Sequence, residues 1–218
     1  MPLEILYRDD DLIAVNKPAG QLVHPADHPQ PGDEVTMKIL RDQIGESVHP
    51  LHRIDRPTCG IVLFTTKTEV VRVLRPAFDE HRIQKTYLAV VLGHPAATSW
   101  TCELPLRKKK DSPLQDAVTD FKLLEKLPSE LALVEARPRT GRYHQIRRHL
   151  HQIDHPIVGD YLYTGVEKCN ELGQLLGTGT RMLLQAKELT LDHPKTGQAI
   201  TIAAPTEPVI EKACRIRP

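Results

Sequence analysis

The sequence of 218 residues is long enough for one large domain or two small ones, and its 40% hydrophobic and 26% charged composition is that of a globular chain with a sizeable core. A net charge of +1 offers no overall basic field to a polyanion, so any affinity for nucleic acid must come from local clusters. No run approaches the roughly 18 apolar residues of a membrane span, and the acidic, alternating start lacks the layout of a secretory signal.

The chain opens with alternating residues around Asp9 to Asp11, which predicts a hairpin of Leu3 to Tyr7 and Leu12 to Asn16. Pro25 to Gly32 is proline-rich and reads as a loop, and Val35 to Ile44 has helical spacing through Met37, Leu40 and Ile44. A short strand is expected over Ile61 to Thr66. A helix capped by Thr68 should run to about His81, with Pro76 predicting a kink or an early end. Lys85 to Leu92 is strand-like, and residues 94–117 read as a polar, basic excursion from the sheet. Strands follow at Ala117 to Glu125 and Glu130 to Ala136, then a helix from about His144 to Ile153. Gly173 to Thr180 is glycine-rich and expected to be flexible. Strands at Met182 to Leu191 and Gln198 to Ile202 and a short helix from Pro208 to Arg217 complete the chain. Strands outnumber helices and come in hairpin-like runs, so the expected class is α+β with a mainly antiparallel mixed sheet.

Four cysteines, Cys59, Cys102, Cys169 and Cys214, form no C-x-x-C pair; they suggest neither a zinc knuckle nor a disulfide framework, and reduced thiols in the cytoplasm are the simplest reading. His144, His149, His151 and His155 crowd one region, but their spacing matches no metal motif, and no metal is expected. The glycine signatures of nucleotide hydrolysis, dinucleotide binding and serine hydrolases are absent from the sequence.

Two segments carry candidate chemistry. In His52-Arg-Ile-Asp-Arg-Pro-Thr-Cys-Gly60, Asp55 stands between Arg53 and Arg56, which would keep it ionised as a nucleophile or general base. Pro57 and Gly60 would fix the backbone and let it approach a substrate closely. On its own, this triplet reads more readily as a surface ion pair. In Arg139-Thr-Gly-Arg-Tyr-His-Gln-Ile-Arg-Arg-His149, Thr140 and Gly141 are expected to start a helix whose first N–H groups can receive a phosphate. An arginine of that helix turned inward would need a carboxylate partner, for which Asp55 is the candidate; a basic surface helix is the plainer reading. Tyr87, in Lys85-Thr-Tyr87, reads either as core filling or as an aromatic platform beside a flipped base. The run Arg107 to Lys110 suits phosphates, or is a solvated surface.

Taken in order, Lys17-Pro-Ala-Gly-Gln-Leu-Val-His-Pro25, His52 to Gly60, Lys85-Thr-Tyr87 and Thr140 to His149 resemble the RluA-type family of pseudouridine synthases, and together they span most of the chain. The resemblance implies an antiparallel sheet with a catalytic cleft and no metal or organic cofactor. It implies that Asp55 attacks the target uridine at the base or at the ribose C1′, that the base is released, rotated and rejoined through carbon, that Arg147 faces Asp55, and that Tyr87 stacks on the base or takes a proton. Arg53 would fill the space of the flipped nucleotide, and His52, Thr58, Arg142, His144 and Gln145 would help to bind substrate. Cys59 replaces the family's usual Ser, and Gln185-Ala186 stands where His-Ala is common.

The resemblance further implies a single catalytic domain over residues 1–218, without the N-terminal S4 RNA-binding domain of many relatives, acting as a monomer in the cytoplasm. Its partner would be RNA held by that domain, with residues 26–34 and 94–117 as added contacts. Met37 to Gly45 with the Asp55 segment looks like the subgroup that modifies uridine 65 of bacterial tRNA. Ribosomal RNA as substrate, and a non-catalytic RNA-binding factor on the same scaffold, are the alternatives.

Overall fold

The computed structural model describes residues 1–28 and 30–215. The alternating start of the chain becomes an antiparallel hairpin, β1 (Glu4–Arg8) and β2 (Ile13–Lys17). Asp9 closes its turn: Oδ1 accepts the N–H groups of Asp11 (2.8 Å) and Leu12 (2.7 Å), a side-chain mimic of a backbone turn. Helix α1 (Thr36–Ile44) ends at Gly45, and β3 (His49–Pro50) leads to β4 (Cys59–Thr65), which is buried along its whole length.

Helix α2 (Thr68–Asp79) ends within two residues of the expected limit and differs from expectation at its start. Thr68 is its first residue, and the cap position belongs to Lys67, whose side chain makes no capping bond. Pro76 lies inside the helix without ending it. Arg72 and Pro76 are both exposed, so the turn at which Pro76 withholds an N–H from the Arg72 carbonyl lies on the outer face of the helix.

Strand β5 (Gln84–Leu92) precedes the segment expected to be irregular, which contains three short strands: β6 (Ser99–Cys102), β7 (Leu106–Arg107) and β8 (Leu114–Gln115). Long strands β9 (Thr119–Leu127) and β10 (Leu131–Pro138) follow as a hairpin. Next come α3 (Gln145–Gln152), α4 (Val166–Leu175), β11 (Leu184–Asp192), β12 (Ala199–Ala203) and α5 (Pro208–Arg215). The helix α4 takes in part of the stretch expected to be flexible, and its Cys169 and Leu172 are buried. The last residues of the expected C-terminal helix, Ile216 and Arg217, lie outside the described residues.

The chain divides into two compact units, Met1–Lys85 with Ala186–Pro205, and Thr86–Gln185 with Thr206–Pro218. The first carries strand order β1-β2-β4-β11, with β12 on β11 and β3 on β4. One face of this sheet packs Leu12, Ile61 and Leu63 against Val70 and Leu74 of α2; the other packs Ile13, Val15, Val62 and Phe64 against Leu40 of α1. Alternation along each strand thus feeds two cores. The second unit carries β5-β10-β9-β6 and a separate β7-β8 hairpin, and its core joins Val90 and Leu131 to Leu172, Leu176 and Ile210 of the helical side. The pairings β1–β2, β2–β4, β5–β10, β9–β10 and β11–β12 are antiparallel, and the class is α+β, as expected. Among the described residues no helix is long and apolar enough to cross a membrane.

Candidate active site

In the first unit, His52–Gly60 runs into β4 through a turn. Asp55 is half-buried, and its carbonyl accepts the Thr58 N–H at 3.0 Å, closing the turn over Arg56 and Pro57. A buried cation anchors this turn. Lys17, at the end of β2, is fully buried, and its Nζ donates to the carbonyls of Pro18 (2.9 Å), Gln21 (2.9 Å) and Arg56 (3.3 Å). A buried ammonium is costly unless its protons find acceptors, and here main-chain carbonyls converge on it. Arg56 adds to the link: its carbonyl also accepts the Gly20 N–H (2.8 Å), Nε donates to the Gly20 carbonyl (2.9 Å), and Nη1 pairs with Asp33 (2.9 Å). Two segments far apart in sequence therefore form one braced structure beneath Asp55.

The remaining residues of the segment divide between solvent and core. Arg53 is exposed, with Nη1 at 2.6 Å from His24 Nε2. Thr58 is buried. The His52 ring stacks on Phe78 (5.2 Å between centroids), and Nε2 accepts the Leu63 N–H at 3.1 Å. Burial, and then Lys85, pull the His52 pKa down to about 3 against a backbone hydrogen bond with Arg53, so the ring is neutral at pH 7. Gly60 has φ 105°, and a Cβ there would lie 2.1 Å from the Ala186 carbonyl oxygen. The close backbone approach expected at Gly60 is thus made to β11 within the protein.

In the second unit, Arg147 is buried on α3 and grips Asp160 with two bonds, Nε to Oδ2 at 2.6 Å and Nη2 to Oδ1 at 2.8 Å. Such a fork is the strongest arrangement available to this pair of groups. The Tyr163 ring lies 5.2 Å from the guanidinium carbon, in cation–π range. Asp160 is set by its own turn, whose Leu162 N–H donates to Oδ1 (3.2 Å). Gly159 before it has φ 77°, and a Cβ would meet the Arg181 carbonyl oxygen at 2.0 Å, so no other residue fits there. The Tyr163 hydroxyl reaches His144 Nδ1 (3.1 Å); burial pushes this phenol up, against the opposing pull of Arg147 and Arg148.

The Thr140-Gly141 turn precedes the helix by several residues and offers none of its first N–H groups. The helix begins at Gln145, with His144 in the left-handed region at the cap position. Gln145 staples this approach to β9: Oε1 accepts from Thr140 Oγ1 (2.6 Å) and the Arg142 N–H (2.9 Å), and Nε2 donates to the Val118 carbonyl and Thr119 Oγ1 (both 2.9 Å). All four bonding positions of the amide are used inside the protein, which leaves none for a substrate. Arg142 donates through Nε to the Asp116 carbonyl (2.9 Å). The crowded histidines are similarly engaged: His149 with Thr119 Oγ1 and the Leu104 carbonyl, His155 with the Leu92 carbonyl. Tyr87 is buried in β5, opposite Ala136 of β10.

Asp55 and Arg53 thus belong to the first unit, and Tyr87, His144 and Arg147 to the second. Sequence reasoning reached the need of a buried arginine for a carboxylate but did not single out Asp160, nor Lys17 as an anchor. The signal for Asp160 was its place after Ile157-Val158-Gly159, where an acid follows an apolar run and a glycine.

A family described as RNA pseudouridylate synthase matches residues 11–152. The chain is 40% identical over 223 aligned residues to tRNA pseudouridine synthase C of Haemophilus ducreyi, covering 94% of this chain and 91% of the relative. It is 39% identical to the protein of the same name from Vibrio cholerae, covering 93% and 90%. Its fold resembles Human RNA Pseudouridylate Synthase Domain Containing 4, with a TM-score of 0.77 at 22% identity over 96% of this chain and 91% of that one.

Proposed function

The chain belongs to the RNA pseudouridylate synthase family, and from that premise we propose that it converts one uridine of a tRNA to pseudouridine with Asp55 as nucleophile. The observation that carries the reading is the brace under Asp55: Lys17 Nζ and the Gly20 N–H share the Arg56 carbonyl, next to the proposed nucleophile. A carboxylate that must attack one atom of a nucleotide gains rate from such positioning.

In the proposed reaction Asp55 attacks uridine at the base or at ribose C1′. The glycosidic C–N bond breaks, the base turns, carbon 5 bonds to the ribose, and the bond to Asp55 breaks, which returns its carboxylate. The proton on carbon 5 is lost and the ring nitrogen gains one, so the product is an isomer. Tyr87 offers its ring to the flipped base and its hydroxyl for the proton, and Arg147, oriented by Asp160 and Tyr163, supplies positive charge at the reacting centre. Arg53, Arg142 and His144 are assigned to substrate, and Thr58 to the wall near Asp55; Gln145 and His52 act by positioning their neighbours. The names of the relatives support tRNA as substrate, and the enzyme is proposed to act on it as a monomer in the cytoplasm.

Mapping pseudouridine in RNA from cells lacking the protein, and in transcripts treated with the purified enzyme, tests the substrate. One lost and restored position in tRNA is expected. A lost position in ribosomal RNA, with tRNA intact, would move the assignment to that substrate, and no lost position would remove it.

A further inference from the structure

The polar excursion between β5 and β9 contains a small hairpin whose shape the catalytic reading leaves unused. Strands β7 and β8 pair Leu106 with Gln115 and Arg107 with Leu114. The turn between them is tied by the Ser112 N–H to the Lys109 carbonyl (3.0 Å), the Lys109 N–H to Ser112 Oγ (3.2 Å) and Arg107 Nη1 to the Ser112 carbonyl (2.6 Å). Arg148, the residue after Arg147, donates through Nη1 to the Arg107 carbonyl (2.7 Å) and so fastens hairpin to helix α3. The result is an open cavity of about 520 Å³, lined by the four cations Arg107 to Lys110 together with Arg148, Tyr143 and Tyr163.

Two properties of this cavity point to one ligand chemistry. Five cations line it and, among the described residues, no carboxylate does, so their mutual repulsion is relieved by an anion of several charges. Two phenol rings also line it. Tyr143 is 56% exposed yet held flat, with the His144 ring stacked on it at 3.7 Å. Tyr163 continues from the cavity to the cation–π contact with Arg147. Cations that track phosphates beside rings that stack on bases are the means by which proteins hold unpaired nucleotides. An acidic peptide would use the cations and leave the rings without a role.

We infer that this cavity is a second nucleotide subsite: Arg107 to Lys110 and Arg148 hold phosphates of the RNA strand while Tyr143 stacks on a base other than the reacting uridine. The inference rests on the proposed function and adds to it a site for a neighbouring nucleotide. Its partner face, Tyr163, also fixes Arg147, so occupancy is felt by a residue assigned to the reaction.

Steady-state tritium release from a tRNA transcript labelled at carbon 5 of uridine, together with direct binding of that transcript, tests it. Tyr143→Ala should raise KM about 5- to 100-fold, the value of one lost stacking contact, while kcat changes far less, and Tyr143→Phe should restore KM. Joint Lys108→Ala, Lys109→Ala and Lys110→Ala should flatten the slope of log Kd against log salt by about 2 to 3. Joint Lys122→Ala and Lys126→Ala, outside the cavity, should change the slope less. Oligouridylate should compete for the cavity and polyglutamate of equal charge should not. Unchanged KM and salt slope in the variants of an active enzyme, or equal competition by polyglutamate, would overturn the subsite alone. A wild-type enzyme that binds the transcript with the predicted variant effects but releases no tritium would leave the subsite standing and remove the proposed reaction.

Discussion

Lys17 in the first unit and Arg147 in the second are both buried cations, and the protein satisfies them by different means. Lys17 is a compact charge on a flexible stem, and main-chain carbonyls from two segments close around it. Arg147 is a planar fork, and it grips the Asp160 carboxylate in two parallel bonds above an aromatic ring. The lysine therefore fixes where the backbone goes, whereas the arginine is itself what is fixed. The two solutions suit different roles, since the loop bearing Asp55 needs a defined path and a cation assigned to a reaction needs a defined direction.

Removing the carboxylate should have the largest effect. Asp160→Ala leaves the Arg147 charge buried without its fork, and a loss of about 3–5 kcal/mol is expected from denaturant midpoints. A loss below about 1 kcal/mol would mean that the pair behaves as a surface contact, and the contrast with Lys17 would fail.

Lys17→Met should cost less, about 1–3 kcal/mol, because the Pro18, Gln21 and Arg56 carbonyls that lose a donor are neutral groups. Its signature is local. Amide exchange should accelerate at Gly20 and Thr58, whose N–H groups bond within the braced loops, and stay unchanged at Leu162 beside Asp160. Equal acceleration at all three would show that the lysine holds the whole fold and not these loops.

At neutral pH the smallest effect belongs to His52, whose contribution appears only in acid. The His52 pKa falls from its ordinary 6.5 to about 3 on folding. Between those values the unfolded chain carries a proton that the folded protein lacks, so stability rises with pH across the window and is lost as the solution is acidified. His52→Phe keeps a ring against Phe78 but cannot titrate, and part of the acid loss between roughly pH 6.5 and pH 3 should vanish from its stability profile. An unaltered profile would show that other groups, such as Asp9 with its lowered pKa, carry the whole effect.

What the sequence disclosed follows from how local each signal is. The hairpin of β1 and β2, the pair β9 and β10 and the helix α1 are written in short-range periodicity, and they appear within a residue or two of their expected limits. Pro76 does not end the helix, because its effect depends on which face it occupies, which only packing decides. Helix α4 was missed because Gly165, Gly173 and Gly177 hide the spacing of Cys169, Leu172 and Leu176. The motif segments were legible, but the partners of their charged residues were not. Lys17 meets Arg56 and Arg147 meets Asp160 across intervals that no periodicity spans. The amide of Gln145 shows the same limit: its position in the motif is plain from sequence, and its four internal bonds are not.

The central claim is that Asp55 attacks the uridine, and its most direct test is tritium release from 5-tritiated uridine in RNA by Asp55→Ala. No release above background is predicted, while the variant binds the same RNA with its affinity retained. Full release by the Asp55→Ala enzyme would contradict the claim.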